Sequence, residues 1–143
     1  MKLNIGGTAI PQVLQARVNI SNSKNNSPVH EPVVSMEILL RMHHETLIAD
    51  WATAPEGRKR FKRVELVMES RDALPLQVFT IPYAWISSYE ACENNDYFFD
   101  AQGREFAGAI LKITIQASLP PGMDHNGHNL IDASPGETPI IKA

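Results

Sequence analysis

Residues Leu76 to Ala91 read LQVFTIPYAWISSYEA, and the fold is decided there. One alternate set is Phe79, Ile81, Tyr83, Trp85, Ser87 and Tyr89; the other is Val78, Thr80, Pro82, Ala84, Ile86 and Ser88. A period of two marks a strand, because successive side chains point to opposite faces of a sheet. Both sets are largely apolar or small, so both faces are expected to be at least half covered. Strands of roughly five or six residues are usual. A run this long points to a barrel or an assembly surface rather than a simple hairpin. No catalytic motif lies in or near it.

On the N-terminal side, the turn SRDALP at 70–75 leads back to a strand at Lys62–Glu69, where Val64, Leu66 and Met68 oppose Arg63, Glu65, Val67 and Glu69. Another strand is expected at Val33–Met42, with Val34, Met36, Ile38, Leu40 and Met42 on one face. Between these two lies the one convincing helix, ETLIADWATAPEG. Leu47, Ile48 and Trp51 form its apolar stripe and are expected to anchor it on the sheet. Glu45 and Thr46 suit its first turn or cap, and Pro55 and Gly57 suit its end. Residues 3–20 read as two short strands or one interrupted strand. Gly6-Gly7 breaks the run, Pro11 restricts pairing, and Leu14, Ala16, Val18 and Ile20 form the apolar face. The polar loop of twelve residues SNSKNNSPVHEP at 21–32, with two prolines, is either an assembly contact or a simple flexible loop.

On the C-terminal side, CENNDYFFDAQGRE at 92–105 is expected to be a long loop. Its Tyr97, Phe98 and Phe99 either cover the domain's own core or touch a neighbour. The closing strand, Phe106–Ala117, becomes polar on its second face, as a water-facing wall would. The composition changes after Leu119 to a Pro- and Gly-rich run. The expected organisation is therefore a β domain over 1–118 and a weakly structured extension over 119–143, pinned against its own domain or a neighbouring subunit.

Chemistry is sparse. Asp124-His125-Asn126-Gly127-His128 holds two histidines and a carboxylate but no third strong ligand on a fixed scaffold, so exposed loop residues are the better reading. His43 and His44 are adjacent and would point to opposite faces of a strand. The acidic residues between Asp96 and Glu105 do not follow the calcium-loop pattern. Ser87-Ser88 lacks a nucleophile turn, Cys92 has no histidine near it in sequence, and Gly6-Gly7 is a turn rather than a phosphate loop. No cofactor, metal or catalytic residue is expected. Arg58-Lys59-Arg60-Phe61-Lys62-Arg63 reads as a solvated turn, with a charge-complementary subunit contact as the alternative.

The whole chain sets wider bounds. At 143 residues with a net charge of −3, it fits one domain and lacks the basic excess of a general nucleic-acid binder. One domain of this length buries roughly 68–70% of its unfolded surface. A single cysteine suits a reducing compartment. The N-terminal MKLNIGGTAIPQ has no apolar run of a secretory signal, and no stretch is long enough for a membrane helix, so a chain made in the cytoplasm is expected.

The order and wording of segments from about Val33 to Ala117 resemble the Hcp family, the tube protein of the bacterial type VI secretion system, in particular shorter forms of the kind found in Bacteroidetes. The strand VVSMEILLRM, the lone helix ETLIADWATA and the strand FKRVELVMES follow one another as in that family. IPYAWISSYEACENN resembles its penultimate strand, and EFAGAILKITIQAS its closing strand. The tail after Leu119 and the aromatic stretch 92–105 depart from it. The resemblance implies a small β-barrel of two antiparallel sheets with one short flanking helix. It implies a non-enzymatic subunit forming homo-hexameric rings that stack head-to-tail into a hollow tube. The partners would be further copies, sheath and spike proteins, and secreted effectors, with export needing no signal peptide. By position in the resemblance, Asn25, Pro28 and His30 would contact the next ring. Arg58, Lys59 and Arg60, with Tyr97, Phe98 and Phe99, are the other candidate ring or stack contacts. A phage-tail-like tube and a small ligand-binding barrel are the alternatives; a ligand-binding barrel would need an apolar cavity, which bulky Tyr83 and Trp85 argue against.

Overall fold

The computed structural model describes residues 1–21, 33–42, 46–55, 60–99, 105–118 and 130–136, with the side chains of 94–99 and 105–107 excepted. Among the described residues, eight strands and one helix follow in order: β1 (Lys2–Ile5), β2 (Thr8–Ile10), β3 (Val13–Ser21), β4 (Val33–Arg41), α1 (Leu47–Ala52), β5 (Lys62–Glu69), β6 (Pro75–Phe99), β7 (Glu105–Ala117) and β8 (Asp132–Pro135). All pairings are antiparallel, in the order β2-β1-β5-β6-β7-β4-β3, with β8 added to β6. The mainly-β fold with one short helix is as expected. The two expected sheets are two halves of one sheet, joined through β6. Among the described residues β2 and β3 do not pair, so these ladders do not close it.

The halves fold over a single core. Leu3, Ile5, Val64 and Leu66 come from one half and Met36, Ile38, Leu40, Ile113 and Ile115 from the other; each is no more than 1% exposed. A six-residue helix is too small to cover both sets, so the half-sheets must cover each other. They belong to one contact cluster with Ile81, Ala84, Ile48 and Trp51.

β6 is longer than the sequence indicated, and it is not one uninterrupted period of two. Its inner positions are Ile81, 0% exposed, and then Ala84, also 0% exposed, three residues on. Opposite them β5 advances only two residues, since Val64 pairs with Ile81 and Lys62 with Ala84. This bulge at Pro82–Tyr83 turns the strand over, so Tyr83 and Trp85 do not share a face with Phe79 and Ile81 as the alternation implied. A second irregularity lies between Ile86 and Ser88, where β7 moves only from Ile115 to Thr114, and Ser87 Oγ donates to the Thr114 carbonyl at 3.3 Å. The bulges let one strand pair with β5 up to Ala84 and with β7 from Ala84 onward.

Three further expectations change. Residues 92–99 and 105 are strand rather than loop: the ladder continues to Asn94↔Gly108 and, after an irregularity, Phe98↔Phe106 and Phe99↔Glu105. Aromatic residues favour a pleated ladder, and this outweighs the local Asn and Asp. In β3, a shift between Val13 and Gln15 puts Val13 opposite Leu40 with the core, while Leu14 joins Leu39 and Ile110 in a separate cluster on the other face. Met42, expected on the buried face, is 39% exposed just past the end of β4. The Gly6-Gly7 break is a two-residue hairpin turn, with Ile5 opposite Thr8 and φ of 58° and 83°. Positive φ at both positions is what such a turn requires and what glycine supplies without strain.

Helix α1 is shorter than expected. Thr46 occupies the N-cap, but its hydroxyl donates to the Asp50 carboxylate at 3.0 Å and makes no capping bond to a backbone amide. At the other end, the Thr53 amide and hydroxyl both bond the Ala49 carbonyl, at 3.1 and 2.9 Å, closing the helix before Pro55. Proline disfavours helical geometry in the residue before it, which explains a stop at this point.

Candidate assembly surface

The face opposite the core, across β3, β4, β7 and the outer half of β6, is built row by row. Arg17, Glu37, Thr114 and Ser88 lie in one row of paired positions; Gln15, Leu39, Lys112 and Glu90 in the next; Asn19, Ser35, Gln116 and Trp85 in a third. The polar residues here follow directly from the period of two, since their neighbours Met36, Ile38, Leu111, Ile113 and Ile115 are buried. Arg17 Nη1 stands 3.7 Å from Glu37 Oε2, an open pair of small energetic weight. Cys92, on the same face, is an exposed free thiol. The face is polar around Arg17, Glu37, Lys112 and Glu90 and also carries the apolar cluster of Leu14, Leu39 and Ile110.

This four-strand half has two open edges. Among the described residues β3 pairs only with β4, and β6 beyond Ala84 pairs only with β7. Open edges offer unpaired N–H and C=O groups to another strand. Beyond Ile110, the last β7 residue paired with β4, the β6–β7 hairpin carries on past the sheet.

At the kink in β6 the helix is clamped. Trp51 is 2% exposed and its Nε1–H donates to the Arg60 carbonyl at 2.8 Å. The Arg60 guanidinium sits 5.2 Å from the centroid of the Trp85 ring, within cation–π range. Leu47 and Ile48 pack with Trp51 against the core. Arg60, one of the candidate contact residues, thus faces its own domain. The sequence gives no spacing signal for this pairing, because Arg60 and Trp85 meet only through the tertiary fold.

Of the other candidate contacts, Asn25, Pro28, His30, Arg58 and Lys59 lie outside the described residues, as do His43, His44 and the 124–128 cluster. Tyr97, Phe98 and Phe99 belong to the projecting end of β6. No group of three or more potential metal ligands occurs among the described residues. No helix among them is long and apolar enough to cross a membrane. Among the described residues, the buried side chains of the two half-sheets form one contact cluster. The grooves open at the surface, one of about 710 Å³ with Arg17, Glu37, Glu90 and Lys112 in its lining.

Part of the tail is ordered against β6. β8 pairs through Gln77↔Pro135, Val78↔Ser134, Phe79↔Ala133 and Thr80↔Asp132. Ala84 is paired with β5 on one edge and β7 on the other, and β5 also runs beside 77–80, so β8 lies on the β7 edge, continuing its line. The Gly136 amide donates to the Leu76 carbonyl at 3.0 Å. A Cβ at 136 would clash with the Pro75 carbonyl carbon and oxygen and stand 2.7 Å from Pro75 Cβ, so only glycine fits there without a backbone shift.

These features define an antiparallel β fold that solved structures share. The particular structures that share it include Hcp1 of Flavobacterium johnsoniae, with a TM-score of 0.55 and 16% identity over 80% of this chain and 87% of that one. A chain of an extracellular contractile injection system, from its PVC sheath–tube complex in the extended state, gives 0.52 and 12% over 94% and 87%. A chain of the anti-feeding prophage tube-terminating cap gives the same values. At these identities the likeness is one of fold. No known family model matches the sequence, and no curated protein matches it.

Proposed function

We propose that this chain is a non-enzymatic structural subunit of the inner tube of a contractile type VI secretion apparatus. It is made in the bacterial cytoplasm and forms six-membered rings that stack into a hollow tube. The observation that supports this reading most is the four-strand half-sheet with one polar face and two different open edges. A ring whose copies all face the same way needs two unlike surfaces that fit each other. The outer edge of β3 meeting the β6 edge of the next copy supplies such a pair, and it carries the sheet around the ring with Arg17, Glu37, Lys112, Thr114 and Glu90 toward the channel. A wet, charged wall suits passage of effector proteins better than an apolar one would. Sheath and spike proteins are the outer and end partners in this reading.

Negative-stain electron microscopy with light-scattering mass tests it. Rings of six 15.9 kDa copies, or tubes of stacked rings, are expected. A clean monomer at every concentration overturns the proposal. A second reading, the tube of a phage-tail-like extracellular particle, is favoured by the 94% coverage against the PVC and anti-feeding-prophage chains. Recovery of the protein in free sheathed particles outside cells would select it.

A further inference from the structure

We propose that the β6 edge at Leu76–Thr80 is a strand-acceptor site, and that in the assembly it takes residues 130–136 of a second copy in place of the chain's own. The inference needs the multi-copy reading above only to supply that second copy.

The first support is how little binds the segment to its own chain in particular. All four β8 side chains are exposed. Its attachments include the backbone ladder to Gln77–Thr80, the Gly136 amide on the Leu76 carbonyl, the close approach of Gly136 to Pro75, and Leu130 and Ile131 half-buried at the core. Each of these contacts would be the same if residues 130–136 came from another copy. Exchange therefore costs no contact at the site, which is the condition that makes strand swapping accessible.

The second support is chain length. The chain leaves β6 where the Ser118 amide bonds the Tyr83 carbonyl, and it returns with Asp132 opposite Thr80 on the same edge. Three residues of a strand cover about 10 Å. The connection through residues 119–129 can span up to about 40 Å. A domain of this size has a radius of gyration of about 14–15 Å, so adjacent copies lie with centres about 35–40 Å apart. The connection is much longer than the closing path requires and long enough to reach a neighbour.

The third support is that the acceptor edge is flanked by apolar surface. Leu74 and Leu76 are 46% and 58% exposed beside it. A neighbour close enough to donate its strand would cover them.

The test uses the full chain with Cys92→Ser as background. Val78 and Ser134 are directly paired across the ladder, at a Cα separation compatible with a disulfide. Val78→Cys and Ser134→Cys are placed in separate chains, unfolded together, refolded and oxidised, while light scattering reports the mass. Exchange predicts a covalent heterodimer on a non-reducing gel. It also predicts a ladder of linked copies from the double variant carrying both cysteines. A control pairing Val78→Cys with Arg71→Cys should give no comparable product. If the double variant yields only intrachain-linked monomer while scattering shows assembled rings, exchange is wrong and the tube reading stands. Intrachain-linked monomer in a sample that scatters as single copies overturns both. Gly136→Val, which cannot approach Pro75, is expected to abolish the interchain product; an undiminished yield overturns the docking described here.

Discussion

Trp51 does two things at once, and its variants separate them. Its ring fills the core beneath α1, and its indole N–H satisfies the Arg60 carbonyl. Trp51→Ala removes both and is expected to cost about 3–5 kcal/mol, read as a lowered melting temperature. Trp51→Phe keeps most of the volume and should lose about 1 kcal/mol for the hydrogen bond, together with a small packing loss. Arg60→Leu leaves the backbone acceptor in place and removes the guanidinium, including its contact over Trp85. A loss of roughly 0.5–1 kcal/mol is expected, with a change in the near-UV circular dichroism of Trp85. Equal losses for Arg60→Leu and Trp51→Ala would mean that the side chain, not the carbonyl, holds the helix.

At the scale of the element, the sharpest dependence is on turns and bulges. Both glycines of the β1–β2 turn have positive φ. Gly7→Val, a β-branched residue in left-handed geometry, should cost about 1–2 kcal/mol. It should also raise amide exchange in β2, and unchanged exchange there would contradict the turn assignment. The turn was readable from Gly6-Gly7, and β5 and the inner face of β4 were readable from strict alternation. The helix anchors were readable from the spacing of Leu47, Ile48 and Trp51. What alternation could not show is where a strand inserts an extra residue. Pro82–Tyr83 and Ser87 both do so, and each reverses which side chains face in. Pro82 is a local mark of an edge or bulge, since proline cannot donate to a central ladder. Nothing local marks Ser87, where the irregularity is set by the partner strand's register. The same holds for Leu14, which sits on the opposite face from the one its neighbours imply. β8 was hidden for another reason: a four-residue strand with no buried side chain leaves no hydrophobic period to read. The polar wall followed from β7 and β4 alone, whereas the Arg60–Trp85 contact needed the folded chain.

For the whole molecule, pairing of the open edges between copies, as proposed, would make stability depend on protein concentration. Partners that bind only the folded state raise the melting temperature by mass action. Melting curves over a hundredfold range of concentration are expected to shift upward, and concentration-independent curves would mean that the edges of β3 and β6 stay unpaired. Because the halves share β6 and one core, a single unfolding transition is expected from both fluorescence and far-UV circular dichroism. Two separated transitions would show that each half can stand alone.

The strand common to both halves also decides how the subunit bears force. A pull that separates the two half-sheets has no seam to open, since each is hydrogen-bonded to the same continuous backbone on either side of Ala84. Tension along that strand loads its two ladders in shear, many bonds at a time, while tension across it peels bonds one by one. The molecule is therefore stiff along β6 and weak at right angles to it.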